Sequence, residues 1–160
     1  MFTEKIIAKF KDLVSHYPQG KQKSALIPIL HIAQENSGGW LSNETMDWVA
    51  GYLNIQPIEV YEVATFYTQF NLKPVGKYIL EVCRTGPCCL VGAEKLIDHL
   101  QRKLEINVGE TTKDGLFTLK TVECLGSCGS GPVIQIGDIY YERLNESKID
   151  TLLEKFRNKA

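Results

Sequence analysis

The apolar positions of this chain change their period once, and the change divides it. In the first stretch they recur three and four residues apart, the spacing that keeps side chains on one helical face. Phe2, Ile6, Ile7, Phe10, Leu13, Val14 and Tyr17 make the first stripe, closed by Pro18 and Gly20. A second helix is expected from Ser24 through Ile32, stopping before Ser37-Gly38-Gly39. Pro28 fits it only inside the first turn, where a missing N–H costs least, so a start slightly after Ser24 serves equally well. Ser42 or Asn43 caps a third helix carrying Met46, Val49, Ala50 and Leu53, and Pro57 opens a fourth with Val60, Val63, Ala64 and Tyr67. The expectation is a small bundle over residues 1–72. Tyr61, Phe66, Tyr67 and Phe70 are read as its core, with an interaction face as the alternative.

From Lys77 the pattern becomes that of strands. Tyr78-Ile79-Leu80-Glu81-Val82 reads as a mostly buried strand delivering Cys83 into a Gly86-Pro87 turn. A helix beginning at or just after Cys88 follows, with Leu90, Ala93, Ile97, Leu100 and Leu104 on one face. Leu116 to Val122 alternates as a strand after Asp114-Gly115, and Val133–Ile136 pairs with Ile139–Tyr141 across Gly137-Asp138. Ser147 with Asp150 resembles a capping box for a last helix through Ile149, Leu152, Leu153 and Phe156. Strand, helix, three strands, helix predicts a thioredoxin-like α/β sandwich over residues 73–160, and an α+β chain as a whole.

Charge and composition remove several classes. A formal net charge of -1 gives no electrostatic reason for a nucleic-acid partner or an anionic membrane. No stretch approaches the roughly 20 apolar residues of a membrane span, and MFTEKIIAKFKD mixes charge into what a signal peptide keeps apolar. The expected location is the cytoplasm without direct membrane insertion, where thiols stay reduced and grouped cysteines serve as metal ligands more readily than as disulfides.

All five cysteines lie in the second part: Cys83-x4-Cys88, the adjacent Cys89, and Cys124-x3-Cys128. Two separated pairs suit a [2Fe–2S] cluster, whose irons each need two terminal thiolates, and Gly86, Gly126, Gly129 and Gly131 allow backbone N–H groups near the sulfurs. Four cysteines also make a structural zinc site, and spacing alone leaves iron–sulfur and zinc open. Thioredoxin-type chemistry fits less well without C-x-x-C. Cys89 projects about 100° away from Cys88 on a helix and is expected to pack as a small hydrophobe. The glycines from Gly126 to Gly131 run into Pro132 and a strand rather than opening a helix, so they are not a dinucleotide fingerprint. His16, His31 and His99 have no partner motif and are assigned surface or packing roles.

Over nearly its whole length the chain resembles the small, E-type [2Fe–2S] subunit in the NADH-oxidising module of NADH:quinone oxidoreductase, respiratory complex I. The resemblance runs through Ala25-Leu26-Ile27-Pro28, Gly39-Trp40-Leu41, Glu62-Val63-Ala64-Thr65-Phe66-Tyr67 and Pro74-Val75-Gly76-Lys77-Tyr78, then Cys83 to Cys88 and Glu123-Cys124-Leu125-Gly126-Ser127-Cys128. Cys89 departs from the usual pattern. The resemblance implies a helical bundle joined to a thioredoxin-like domain, with Cys83, Cys88, Cys124 and Cys128 as ligands of one cluster. It also implies a larger partner subunit that binds NADH and FMN and carries its own iron–sulfur cluster. The two would form a heterodimer in a complex on the cytoplasmic side of the inner membrane, and the cluster here would take one electron from the flavin. No catalytic residue is expected on this chain. NAD-linked hydrogenases and formate dehydrogenases use a similar subunit, and a stand-alone ferredoxin carrier would not need the helical extension.

Overall fold

The computed structural model describes residues 2–159. The chain forms two compact units that part between Pro74 and Val75.

The first unit is helical: α1 (Glu4–Ser15), a 3₁₀ turn (Gln22–Ala25), α2 (Leu26–Glu35), α3 (Asn43–Leu53) and α4 (Pro57–Phe66). The second helix starts later than Ser24, behind that turn, so Pro28 falls third in α2, where the amide has no intrahelical acceptor. Ser42 caps α3 by accepting from the Thr45 N–H at 3.1 Å. Phe10, Ile29, Leu30, Leu41, Val49, Leu53 and Val60 are fully buried, and each such side chain contributes about 1.5–3 kcal/mol on leaving water. Gln34 holds the end of the unit, accepting from the Asn71 N–H at 2.7 Å and donating to the Gln69 carbonyl at 3.2 Å. Phe70 belongs to this core and Tyr61 packs against it. Phe66 and Tyr67 do not: they are 77% and 40% exposed, because the inward stripe of α4 is Val60 and Ala64 and Phe66 lies half a turn beyond it.

In the second unit, β1 (Tyr78–Cys83) is followed by α5 (Gly86–Leu90), α6 (Ala93–Leu104), β2 (Phe117–Val122), β3 (Ile134–Ile136), β4 (Ile139–Tyr141) and α7 (Glu146–Arg157). The sheet order is β2-β1-β3-β4. β1 and β2 run parallel, with Tyr78 opposite Phe117 and Cys83 opposite Val122, while β3 is antiparallel to β1 and to β4. A parallel pair needs a crossover, which α5 and α6 supply. Leu80, Val82, Leu100, Phe117, Leu119, Ile134, Ile149 and Leu153 form the core between sheet and helices.

The structure corrects two sequence readings here. The single helix after Cys88 is two, since Gly92 takes φ of 103°, and the break leaves Leu90 outside the α6 stripe and 90% exposed. The cap of α7 is Asn145, whose side chain accepts from the Lys148 N–H at 2.9 Å, and not Ser147.

Candidate metal centre

Both cysteine pairs stand where strands of the second unit run out. β1 ends at Cys83, whose N–H donates to the Val133 carbonyl at 3.2 Å, and Thr85 precedes α5, which holds Cys88 as its third residue. Past β2 the chain carries Cys124 and then Cys128 at the head of a 3₁₀ turn, Cys128–Ser130. A thiol that opens on the end of a central strand is held by the sheet, whereas one on a loop needs its own supports.

The four thiols form two contacting pairs. Cys83 and Cys88 share a hydrogen bond, as do Cys124 and Cys128, and Cys128 also acts electrostatically on Cys88. Cys83 and Cys88 are buried in a small apolar cluster with Ala93 and Val133, against which Leu125 packs, while Cys124 and Cys128 are exposed. One side of the site is thus closed to water and the other open.

Amide and hydroxyl donors point at the sulfurs. Gly126 N–H donates to Cys124 Sγ at 3.3 Å, and Cys83 Sγ stands 3.4 Å from Thr85 Oγ1. Burial raises the Cys83 thiol, but hydrogen bonds from Thr85, from the Leu125 N–H and from Cys88 outweigh it and bring the group below its ordinary 9.0. Burial, then the shared proton and charge of Cys83, push Cys88 up to about 11. Cys128 is raised chiefly by the charge of Cys124. Thiols that oppose one another's ionisation carry too much negative charge to ionise together, and a cationic centre between them reverses that balance.

Among the described residues no three His, Cys, Asp or Glu side chains form a cage for a single ion. The arrangement of two soft-donor pairs, half-buried and with N–H groups aimed at sulfur, fits a binuclear iron–sulfur group. Cys89 stands apart from the four: its thiol donates to the Arg84 carbonyl at 3.2 Å and lines a separate pocket of about 360 Å³ with Glu94, Asp98 and Thr121. That makes it a hydrogen-bonded thiol rather than the packed hydrophobe expected from its spacing. The histidines are also elsewhere, His16 beside Asp12, His31 against the Phe70 ring and His99 on Asp150.

Spacing did not point to Ser127, Ser130 and Glu142. Both hydroxyls reach Glu142 Oε1, Ser130 at 2.5 Å, and they lie 2.6 Å from each other. Their hydrogen bonds hold the Glu142 carboxyl below its ordinary value.

Comparison with known proteins adds the lineage. Residues 10–157 match the family of thioredoxin-like [2Fe-2S] ferredoxins. Over 157 residues the chain is 45% identical to the E-type subunit of NADH-quinone oxidoreductase from Rickettsia prowazekii (strain Madrid E), covering 98% of this chain and 89% of the relative. It is 43% identical to the mitochondrial NADH dehydrogenase [ubiquinone] flavoprotein 2 of Dictyostelium discoideum, covering 98% of this chain and 64% of that one. Among solved structures, an NAD+-reducing [NiFe]-hydrogenase in the H2-reduced state shares the fold, with a TM-score of 0.74 and 24% identity over 84% of this chain. The chain spans only 22% of that hydrogenase polypeptide.

Proposed function

The chain belongs to the thioredoxin-like [2Fe–2S] ferredoxin family, and from that premise we propose that it is the small, E-type electron-transfer subunit of an NADH-quinone oxidoreductase. Its cofactor is one [2Fe–2S] cluster, and Cys83, Cys88, Cys124 and Cys128 are the proposed ligands. The observation that carries the assignment is their arrangement as two contacting thiol pairs at one end of the sheet, Cys83 closing β1, Cys88 on α5, and Cys124 and Cys128 beyond β2.

When bound, such a cluster supplies one-electron transfer. The chain's part is to hold and shield. Ala93, Val133 and Leu125 keep water from the Cys83 and Cys88 sulfurs, and the N–H groups of Leu125, Val133 and Gly126 donate to thiolates. Donors aimed at sulfur favour the more negative, reduced state and so raise the potential. The exposed side, Cys124 and Cys128, faces the surface through which an electron enters or leaves. No residue of this chain moves a proton in this scheme.

The proposed partner is a larger subunit that binds NADH and FMN, joined to this one in a heterodimer within the respiratory complex on the cytoplasmic side of the inner membrane. No helix among the described residues is long and apolar enough to cross a membrane. Identity of 43–45% with subunits of NADH-quinone oxidoreductase and NADH dehydrogenase favours complex I over a hydrogenase, whose likeness at 24% is one of fold. Affinity purification of the tagged full chain from its native cells tests the assignment. Co-isolation of an FMN-containing, NADH-oxidising partner is expected, and isolation with hydrogenase or formate dehydrogenase subunits contradicts it.

A further inference from the structure

We infer that Glu142 is a positioning residue for the second cysteine pair: its carboxylate gathers the hydroxyls of Ser127 and Ser130, and so fixes the loop that presents Cys128 and lays Gly131 against Cys88. The inference rests on the cluster reading above and goes beyond it.

Three observations converge. Both serine hydroxyls reach Glu142 Oε1, the serine oxygens are hydrogen-bonded to each other at 2.6 Å, and Ser130 Oγ also reaches the Ser127 carbonyl at 3.3 Å. Two hydroxyls supply only two protons for these contacts, so the ionised carboxylate oxygen is the acceptor on which the cluster closes. The backbone beyond Glu142 then follows the same loop, with Arg143 N–H donating to the Ser130 carbonyl at 2.7 Å and Leu144 N–H to the Pro132 carbonyl at 3.2 Å. Arg143 takes φ of 49°, a left-handed conformation that a non-glycine residue adopts only at a cost, and its carbonyl accepts from Lys148 Nζ at 2.8 Å. The loop is thereby fastened to the first turn of α7, a rigid element whose own cap is Asn145.

The fastened stretch is the one that meets the first pair. A Cβ on Gly131 would stand 3.3 Å from Cys88 Sγ, so the backbone between Ser130 and Pro132 is part of the wall around that sulfur. Cys128 itself is exposed and gains little from packing. Its position relative to Cys88 therefore depends on polar supports, and Glu142 is the group on which they converge.

The test uses the full-length chain with Glu142→Gln, Glu142→Leu and the double variant Ser127→Ala/Ser130→Ala. Hydrogen exchange of residues 126–131 is measured on chelator-treated protein, and iron release to a chelator and the EPR signal on cluster-loaded protein. The Leu and double-Ala variants are expected to exchange faster in that loop and to release iron several-fold faster, with β1 protection unchanged. Glu142→Gln keeps an acceptor oxygen and restores the wild-type exchange. It removes one negative charge near the cluster, so its midpoint potential rises. Wild-type exchange and iron release in the Leu variant would overturn the inference. A wild-type chain without iron would instead defeat the cluster reading, while the exchange measurement on metal-free protein still decides the role of Glu142.

Discussion

The Cα of Gly131 sits so close to Cys88 that a methyl group there would stand 3.3 Å from the Cys88 sulfur and 3.0 Å from Val91 Cγ2. Val91 is 55% exposed and its side chain swings aside at little cost, whereas the Cys88 sulfur is buried and held on α5. Gly131→Ala is therefore expected to turn Val91 aside and to leave the close contact with the sulfur unrelieved. Stability of the second unit should fall by only about 1 kcal/mol in urea unfolding, while the visible and EPR spectra of the loaded chain change. An unaltered spectrum would place the strain elsewhere.

The two neighbouring cysteines of α5 should behave oppositely to their sequence adjacency. Cys88 shares a proton with Cys83, and Cys89 bonds to the Arg84 carbonyl outside the thiol group. Cys88→Ala and Cys128→Ala are expected to lose or destabilise the cluster, and Cys89→Ala to keep its visible spectrum nearly unchanged. Equal loss in all three variants would refute the ligand set.

Gly76 and Gly51 separate two meanings of glycine. A Cβ at Gly76 would meet the backbone of Leu116 and Phe117 at 2.9 Å, and that backbone cannot yield without disturbing β2, so Gly76→Ala should cost about 2 kcal/mol or more. At Gly51, within α3, nothing lies within 4 Å, and Gly51→Ala should gain about 0.5–1 kcal/mol from helix propensity. Denaturant unfolding of both variants checks the pair.

The helical stripes and strand alternation were legible because each is local: burial at three- and four-residue spacing, or at every second residue, leaves its mark within one element. The thiol pairs were legible for the same reason, since Cys83 and Cys88 need only one turn between them. What the sequence hid was long-range. Glu142 meets Ser127 and Ser130 only after β3 and β4 have folded back, and no spacing encodes that return. The break at Gly92 did have a signal, a glycine inside an apolar stripe, but a helix tolerates one glycine well enough to mask it. Phe66 and Tyr67 lie outside the core because one is half a turn from the Val60–Ala64 stripe and the other caps the end of α4, and aromatic character encodes neither position.

Asp150 gives the second unit an acid-dependent tie. His99 Nε2 lies 2.9 Å from it and Lys103 Nζ 3.3 Å, linking α6 to α7, and the hydrogen bond from His99 leads in holding the carboxyl below its ordinary 3.8. A carboxyl lowered on folding stabilises fully above its unfolded value, and that contribution is lost as pH falls through the folded value. Denaturant unfolding from neutral pH down to about pH 3 should show stability falling at the acid end, with a shallower fall in Asp150→Asn. Identical slopes would remove Asp150 from the acid response.

The central claim is that this chain holds one binuclear cluster on two thiol pairs. Iron and acid-labile sulfide, with EPR before and after dithionite on the anaerobically purified full chain, test it most directly. About two irons and two sulfides per chain, EPR-silent when oxidised and giving a one-electron paramagnetic signal on reduction, are the expected result. A colourless, redox-silent chain holding zinc, after in-vitro cluster reconstitution has also failed, would contradict it.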